Sequence, residues 1–181
     1  MTDNFNQESV GNDVDNKMAG AKWRFVCVVF ALYLTSAALG SQELMMKMTK
    51  GFTKVVDDCK AEINAGEHIM QDMYNYWRED YQLINRDLGC MILCMAKKLD
   101  LMEDQKMHHG KTEEFAKSHG ADDEVAKKLV SIIHECEQQH AGIADDCMRV
   151  LEISKCFRTK IHELKWAPNM EVIMEEVMTA V

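Results

Sequence analysis

Cysteine placement constrains this chain more than any other feature of its sequence. Six cysteines follow the spacing C-x30-C-x3-C-x41-C-x10-C-x8-C, at Cys59, Cys90, Cys94, Cys136, Cys147 and Cys156. An even number of cysteines in a secreted chain is typical of a disulfide framework. We therefore expect three bridges within one extracellular domain.

The N-terminus supports a secreted location. An apolar run at 25–39 follows Lys22 and Arg24, and small residues precede Ser41. A run of this length is short for a membrane span and typical of a cleaved signal peptide. We expect residues 1–40, which include the seventh cysteine, to be an N-terminal extension plus signal peptide cleaved before Ser41. Residues 41–181 are then the binding domain, with a C-terminal tail at 168–181.

Apolar residues in this domain recur with helical spacing, and no strand alternation is seen. Five stripes predict helices, at 45–59, 70–77 (continuing toward Tyr81 and Ile84), 88–99, 125–136 and 150–164. A short helical segment is expected at 112–118 between Gly110 and Gly120, and Asp122 to Glu124 suit a helix N-terminus. The fold class predicted is all-α.

Helical geometry limits how the cysteines pair. Cys90 and Cys94 lie one turn apart on one helix and point the same way, which disfavours a bond between them. Cys147 and Cys156 are about 13 Å apart on a continuous helix, beyond the limit of about 7 Å. Several connectivities stay open, and in each of them the helix with Cys90 and Cys94 is a hub bonded to other segments.

Charge and motif content exclude several functions. The formal net charge is −9, with 21 Lys and Arg against 30 Asp and Glu, so a nucleic-acid partner is not expected. The segment HECEQQH at 134–140 spaces its histidines six apart, unlike a zinc-protease helix, and no CxxC pair indicates zinc. We expect no enzyme activity, no cofactor and no metal. A disulfide-rich lipid hydrolase is the enzymatic alternative, and a secreted general lipid or fatty-acid carrier is the other.

Several strings give the chain a family resemblance. They are SQELM at 41–45, MYNYW at 73–77, NRDLGC at 85–90, HHGKTEEFAKSHGAD at 108–122 and WAPNMEV at 166–172. With the x3 and x8 cysteine spacings, they resemble the moth (lepidopteran) pheromone-binding proteins within the insect odorant-binding protein family. The resemblance implies a compact bundle of six or seven helices, locked by disulfides around an apolar pocket. It implies the bridges Cys59–Cys94, Cys90–Cys147 and Cys136–Cys156.

The resemblance also assigns a pocket wall, position by position. The implied wall is Met45, Met48, Phe52, Tyr76, Trp77, Ile92, Leu101, Met102, Phe115, Val130, Ile133, Ile153 and Phe157. Phe52 and Phe157 are expected to sandwich an unsaturated chain. Two positions that commonly anchor the ligand's polar end are Leu93 and Ala96 here, so we expect Thr49, Tyr76 or Arg149 to substitute.

Histidines and the tail predict a pH response. The resemblance makes His108, His109 and His134 a gate near the pocket mouth, and histidine changes charge between pH 5 and 8. Met170, Ile173, Met174, Val177, Met178 and Val181 form an apolar stripe. Glu171, Glu175 and Glu176 flank it and oppose its burial while charged. We expect acid to neutralise them, so that residues 170–181 fill the pocket and expel the ligand.

The function predicted is extracellular transport of long-chain alcohols, aldehydes or acetates through sensillar lymph to olfactory receptors. An odorant receptor and a second copy of the chain are candidate partners.

Overall fold

A computed structural model describes residues 41–103 and 106–169. It is all-α apart from one minimal hairpin, which confirms the predicted fold class. The helices are α1 (41–53), α2 (Val56–Glu62), α3 (Glu67–Tyr74), α4 (Arg86–Lys98), α5 (His109–Ser118), α6 (Asp123–His140) and α7 (Asp146–Glu163). Strands β1 (Met102–Glu103) and β2 (Lys106–Met107) pair antiparallel. Within the described ranges, no helix is both long enough and apolar enough to cross a membrane.

The first apolar stripe forms two helices rather than the single helix predicted. A turn at residues 54–55 separates α1 from α2, and the Val55 N–H donates to the Phe52 carbonyl at 3.3 Å. Val55 has φ −114° and ψ 7°, outside the helical region. The stripe continues across this turn because the chain resumes a helix whose Cys59 is fully buried.

The second stripe was also predicted too long. Helix α3 ends at Tyr74, where both the N–H and the side-chain amide of Asn75 donate to the Gln71 carbonyl. Trp77 is buried in the following turn, whereas Ile84 is 78% exposed. The apolar spacing beyond Tyr74 therefore does not mark a continuing helix. It reflects the burial of Trp77 against other parts of the fold.

The segment between the third and fourth predicted helices has more structure than expected. Met102 pairs with Met107 and Glu103 with Lys106 in the hairpin that the absence of strand alternation did not predict. Helix α5 begins at His109 rather than at residue 112, so Gly110 lies inside its first turn.

Side-chain caps fix the beginnings of the long helices, as the charge pattern at Asp122 predicts. Asn85 accepts from the Asp87 N–H of α4, Asp122 from the Val125 N–H of α6, and Asp145 from the Met148 N–H of α7. Each cap satisfies a backbone donor that has no partner within its own helix.

Three disulfides join four of the helices. They are Cys59–Cys94 between α2 and α4, Cys90–Cys147 between α4 and the first turn of α7, and Cys136–Cys156 between α6 and α7. These are the pairs that the family resemblance implies. Helix α4 carries two of the three bridges and packs against α2, α3, α7 and β1, so it is the structural hub.

The crossing of α4 and α7 requires glycine at position 89. A Cβ built there would lie 1.9 Å from the Cys147 carbonyl oxygen, a backbone atom that cannot move aside alone. Arg86 reinforces the same crossing, since its guanidinium donates to both oxygens of Asp145 at 2.7–3.1 Å. Hydrogen bonding to Arg86 holds the pKa of Asp145 below its usual value.

Candidate ligand-binding site

Apolar side chains from five of the seven helices and from two connecting segments supply the predicted pocket wall. They come from α1, the turn after α3, α4, the residue before β1, β1 itself, α5, α6 and α7. All are buried or half-buried: Met45, Met48, Phe52, Tyr76, Trp77, Ile92, Leu101, Met102, Phe115, Val130, Ile133, Ile153 and Phe157. Burial of this set satisfies a first requirement of an apolar binding site.

Most of these residues belong to two apolar clusters. One contains Met45, Met48 and Trp77, with Tyr76, Phe115 and Phe157 packed against it. The other contains Ala96, Leu101 and Met102, with Phe52, Ile92, Leu93 and Phe115 packed against it. Phe115 on α5 contacts both clusters, so it links the two halves of the predicted wall. Val130, Ile133 and Ile153 fall in neither of these clusters.

Aromatic rings form two separate groups in the wall. Phe52 meets Phe115 edge-on with centroids 5.4 Å apart. The Trp77 ring centroid lies 4.9 Å from that of Tyr76 and 6.4 Å from that of Phe157. Such edge and tilted contacts are the favoured geometries of aromatic pairs. The two phenylalanines expected to sandwich a ligand therefore each have an aromatic neighbour within the protein, and their role toward a ligand stays a prediction.

Thr49 and Trp77 form a polar point in this apolar surrounding. The Trp77 indole Nε1–H donates to Thr49 Oγ1 at 3.0 Å, and the Thr49 hydroxyl donates to the Met45 carbonyl at 2.8 Å. The hydroxyl is thus oriented by α1 and retains one lone pair, because a hydroxyl oxygen accepts twice.

The other two predicted anchors are engaged in holding the fold. The Tyr76 hydroxyl donates to the Ser154 carbonyl at 2.9 Å, and burial raises the pKa of Tyr76, so it stays a neutral donor. Arg149 donates to the Ile143 carbonyl at 2.7 Å and pairs with Asp146. Leu93 and Ala96 belong to the cluster of Leu101, so the usual anchor positions present apolar groups here.

His109 and His134 come together around one carboxylate. His109 Nε2 lies 3.2 Å from Glu137 Oε2, and His134 Nδ1 lies 3.9 Å from the same oxygen. Their rings meet nearly perpendicular with centroids 4.9 Å apart. The other oxygen of Glu137 accepts from the Met107 N–H at 2.8 Å. The hairpin and the start of α5 are therefore held to α6 through Glu137.

His108 has a different environment from the other two predicted gate residues. It is the N-cap of α5, with Nδ1 accepting from the Lys111 N–H at 3.3 Å, and its side chain is exposed. The structure therefore brings two of the three histidines together and places the third beside them as a helix cap.

Sequence reasoning missed two groups that organise the site. Glu137 is one. It lies three residues after His134, so the two side chains share one face of α6, and this spacing is the only local sequence signal for the contact. Arg158 is the other. Its guanidinium donates to the carbonyls of Tyr76, Arg78 and Tyr81 at 3.1–3.2 Å, and so fixes the turn that carries Trp77. His162, one turn further along α7, lies 2.9 Å from the Trp77 carbonyl.

Some predictions fall on residues that the structure does not describe. These are the signal peptide within 1–40 and the apolar and acidic positions of the tail at 170–181. They lie outside the described residues.

Fold and site together define a mainly helical domain, joined by three disulfides, with apolar core clusters to which several helices contribute. Residues 41–160 match the model of the PBP/GOBP family. The chain belongs to this family, which comprises pheromone-binding and general odorant-binding proteins, and the resemblance predicted from the sequence is confirmed.

Individual relatives agree with this assignment. The chain is 42% identical over 157 residues to pheromone-binding protein 2 of Epiphyas postvittana, covering 87% of this chain and 94% of the relative. It is 33% identical over 151 residues to general odorant-binding protein 2 of Manduca sexta, covering 83% of this chain and 94% of that relative. The crystal structure of E. postvittana pheromone-binding protein 3 matches with a TM-score of 0.59 and 60% identity, covering 64% of this chain and 99% of that one.

Proposed function

We propose that this protein is an extracellular carrier that binds long-chain apolar pheromones or odorants. The observation that carries the proposal is the convergence of buried apolar side chains from α1, α4, α5, α6 and α7 in a family of odorant-binding proteins. A carrier needs no reacting group. It needs apolar surface that a ligand can share and a covalent frame that keeps this surface in place.

The energetics of such binding are adequate without chemistry. A ligand that buries ten methylene groups gains about 8 kcal/mol at about 0.8 kcal/mol each. After the costs of ordering ligand and protein, this gain supports roughly micromolar affinity. Chain length then sets affinity, and a polar end group adds a smaller preference. The Thr49–Trp77 pair is the polar point that we assign to that end group.

Competition binding tests the carrier function. A fluorescent apolar probe is displaced with alcohols, aldehydes and acetates of increasing chain length, in the intact protein and in Phe115→Ala. Phe115 contacts both apolar clusters, so its loss should weaken binding of the longest ligands about tenfold or more. Ile84→Ala, on an exposed side chain, is the matched control and should bind as the intact protein does.

Turnover and membrane assays separate the alternatives. Hydrolysis of lipid esters would indicate a lipase, and leakage of liposomes would indicate a membrane-disrupting protein. A preference for fatty acids over the alcohols, aldehydes and acetates would indicate a general lipid carrier. Any of these results, with no displacement of the probe by pheromone-like ligands, would contradict the proposal.

We further propose that acid releases the ligand near olfactory receptors. Histidines generally gain charge between pH 8 and 5. Two of them face Glu137, which holds the hairpin and α5 to α6, so added charge changes the balance of attraction and repulsion at this contact. Tail residues 170–181, once their carboxylates are neutralised, take the ligand's place.

Deleting residues 170–181 tests this release mechanism. The intact protein should bind the probe at pH 7 and lose most of its affinity at pH 5, whereas the truncated protein should keep its affinity at both. Equally poor binding of the two proteins at pH 5 would show that the tail does not displace the ligand. Glu171→Gln/Glu175→Gln/Glu176→Gln should shift release to higher pH, since the neutral side chains mimic protonation.

A further inference from the structure

We propose that His109, His134 and Glu137 form a binding site for a divalent transition-metal ion of the zinc type. One potential ligand atom from each residue lies within 4.8 Å of the others. The two distances to Glu137 Oε2 are 3.2 Å from His109 Nε2 and 3.9 Å from His134 Nδ1. Donors around a tetrahedral zinc ion at about 2.0–2.1 Å are separated by about 3.4 Å. The cluster is therefore close to a coordinating geometry before any ion binds.

Neighbouring groups orient two of the three ligands. Glu137 Oε1 accepts from the Met107 N–H at 2.8 Å, which leaves Oε2 directed at the histidines. The Gln138 amide lies 2.9 Å from His134 Nε2, so Nδ1 is the nitrogen that faces Glu137. Rotating this amide presents its oxygen to the Nε2–H of a metal-bound imidazole. Such outer hydrogen bonds fix the ring and raise the basicity of the ligating nitrogen.

The donor set selects the class of ion. Two imidazoles and one carboxylate suit Zn²⁺, Cu²⁺ and Ni²⁺, whereas Ca²⁺ and Mg²⁺ prefer sites built of oxygen alone. The side chains are 41% exposed for His109, 50% for His134 and 20% for Glu137. An ion held by these three ligands therefore has a coordination position facing solvent, which water can occupy.

Metal binding exchanges protons for the ion in a balanced way. The proton on the imidazole nitrogen that faces Glu137 leaves through solvent while the other ring nitrogen takes one up, so the neutral ring binds the metal through the freed lone pair. The Glu137 carboxylate contributes the negative charge. No oxidation or reduction is involved for Zn²⁺.

The position of the site gives the ion a structural consequence. His109 begins α5, while His134 and Glu137 lie one turn apart on α6. An ion bridging them adds to the contact between Met107 and Glu137 and ties the hairpin and α5 more firmly to α6. This inference does not depend on the carrier function, because the ligands and their geometry are the same in the absence of an odorant.

Zinc titration of the purified, oxidised protein at neutral pH tests the site. We expect one ion per chain by calorimetry, with affinity reduced about tenfold or more in His109→Ala, His134→Ala and Glu137→Gln. Glu137→Gln keeps an acceptor for the Met107 N–H, so its loss of affinity reports on the charge. His68→Ala, an exposed histidine on α3, is the control and should bind zinc unchanged.

Two further readouts make the outcome decisive. Co²⁺ in place of Zn²⁺ should give the visible absorption of a tetrahedral nitrogen and oxygen site, and His109→Ala should abolish it. Zinc should slow amide exchange at residues 106–111 in the intact protein and leave it unchanged in His134→Ala. Absence of binding, equal affinity in all variants, or a loss shared by His68→Ala would overturn the proposal.

Discussion

The kind of attachment, covalent or noncovalent, distinguishes two regions within the described part of this protein. The frame comprises α2, α4, α6 and α7, each of which carries at least one bridged cysteine. The flap comprises the hairpin and α5, residues 102–103 and 106–118, and it contains no cysteine. The flap nevertheless supplies Met102 and Phe115 to the same apolar wall as the frame.

Polar contacts attach the flap to its surroundings. Met107 and His109 meet Glu137, Lys117 pairs with Asp123, and Lys111 pairs with Asp100. Hydrogen bonds to Asp123 and Glu113 raise the pKa of Lys117, so this cation persists at every physiological pH. The contacts at Glu137 include histidines. The comparison teaches that the flap is held by noncovalent polar contacts, whereas covalent bridges hold the frame.

Removing a disulfide bridge from the frame should give the largest loss of stability among the variants that compare frame and flap. We expect Cys90→Ala/Cys147→Ala to lower the free energy of unfolding by about 2–5 kcal/mol, because the unfolded chain regains the conformational freedom that the long closed loop had removed. Urea denaturation measures this loss. Glu137→Ala in the flap contact is the comparison, with an expected global loss below about 1 kcal/mol. Similar losses in both variants would erase the distinction between frame and flap.

Substitution of Gly89 should affect the frame next most strongly. Gly89→Ala forces α4 away from the Cys147 carbonyl, and we expect it to cost about 1–3 kcal/mol of unfolding free energy. Gly142→Ala is the matched control, because nothing lies within 4 Å of a Cβ at that position. Thermal unfolding of the two variants in parallel measures the difference, and an equal change would show that the close crossing relaxes freely.

Helix caps should distinguish the regions at a smaller scale. Asp122→Ala removes the cap of α6 in the frame and should lower global stability by about 1 kcal/mol. His108→Ala removes the cap of α5 and should mainly speed amide exchange within residues 109–112. Hydrogen exchange with a parallel urea titration separates the two effects. Faster exchange across α6 and α7 in His108→Ala would mean that flap and frame unfold together.

The Arg86–Asp145 pair should give the smallest effect and the clearest pH signature. The pKa of Asp145 is lowered from 3.8, so the pair stabilises the folded state fully above pH 3.8 and loses this contribution as pH falls through the lower folded value. We expect Arg86→Met to be slightly destabilised by the same amount at pH 7 and pH 5, with the difference shrinking below pH 3.8. A difference that already disappears at pH 5 would contradict the lowered pKa of Asp145.

Local sequence patterns predicted the helices whose capping residues lie directly before their first turn. The long helices α4, α6 and α7 follow their apolar stripes and polar caps. The disulfide pairing was implied by the family resemblance, because helical geometry alone leaves several connectivities open. Helix α1 and the end of α3 were predicted too long because burial continues beyond the helix. Trp77 keeps helical phase with Met73, so the sequence pattern suggests that the helix continues. The turn that carries Trp77 is instead held by Arg158, which donates to the Tyr76 carbonyl from 82 residues away in sequence.

The candidate site was predicted to a similar extent. The apolar residues that the family resemblance assigns to the wall are buried or half-buried, and their role toward a ligand stays a prediction. Glu137 was missed because its significance depends on Met107, 30 residues away in sequence. A carboxylate on a helix surface has no local signal that distinguishes a solvent-exposed residue from one that joins two segments.

The doubling of bridges on α4 has a consequence for how the chain matures. Cys59 and Cys94 are 35 residues apart, whereas Cys90 must wait for Cys147, 57 residues further along. During secretion, the thiols of residues 59, 90 and 94 thus emerge together while the rightful partner of Cys90 is still being synthesised. Thiolate attack on a premature Cys59–Cys90 bond can correct it only while α4 is accessible. We expect the order of oxidation, rather than the final stability, to limit the yield of this protein in expression hosts that lack a disulfide isomerase.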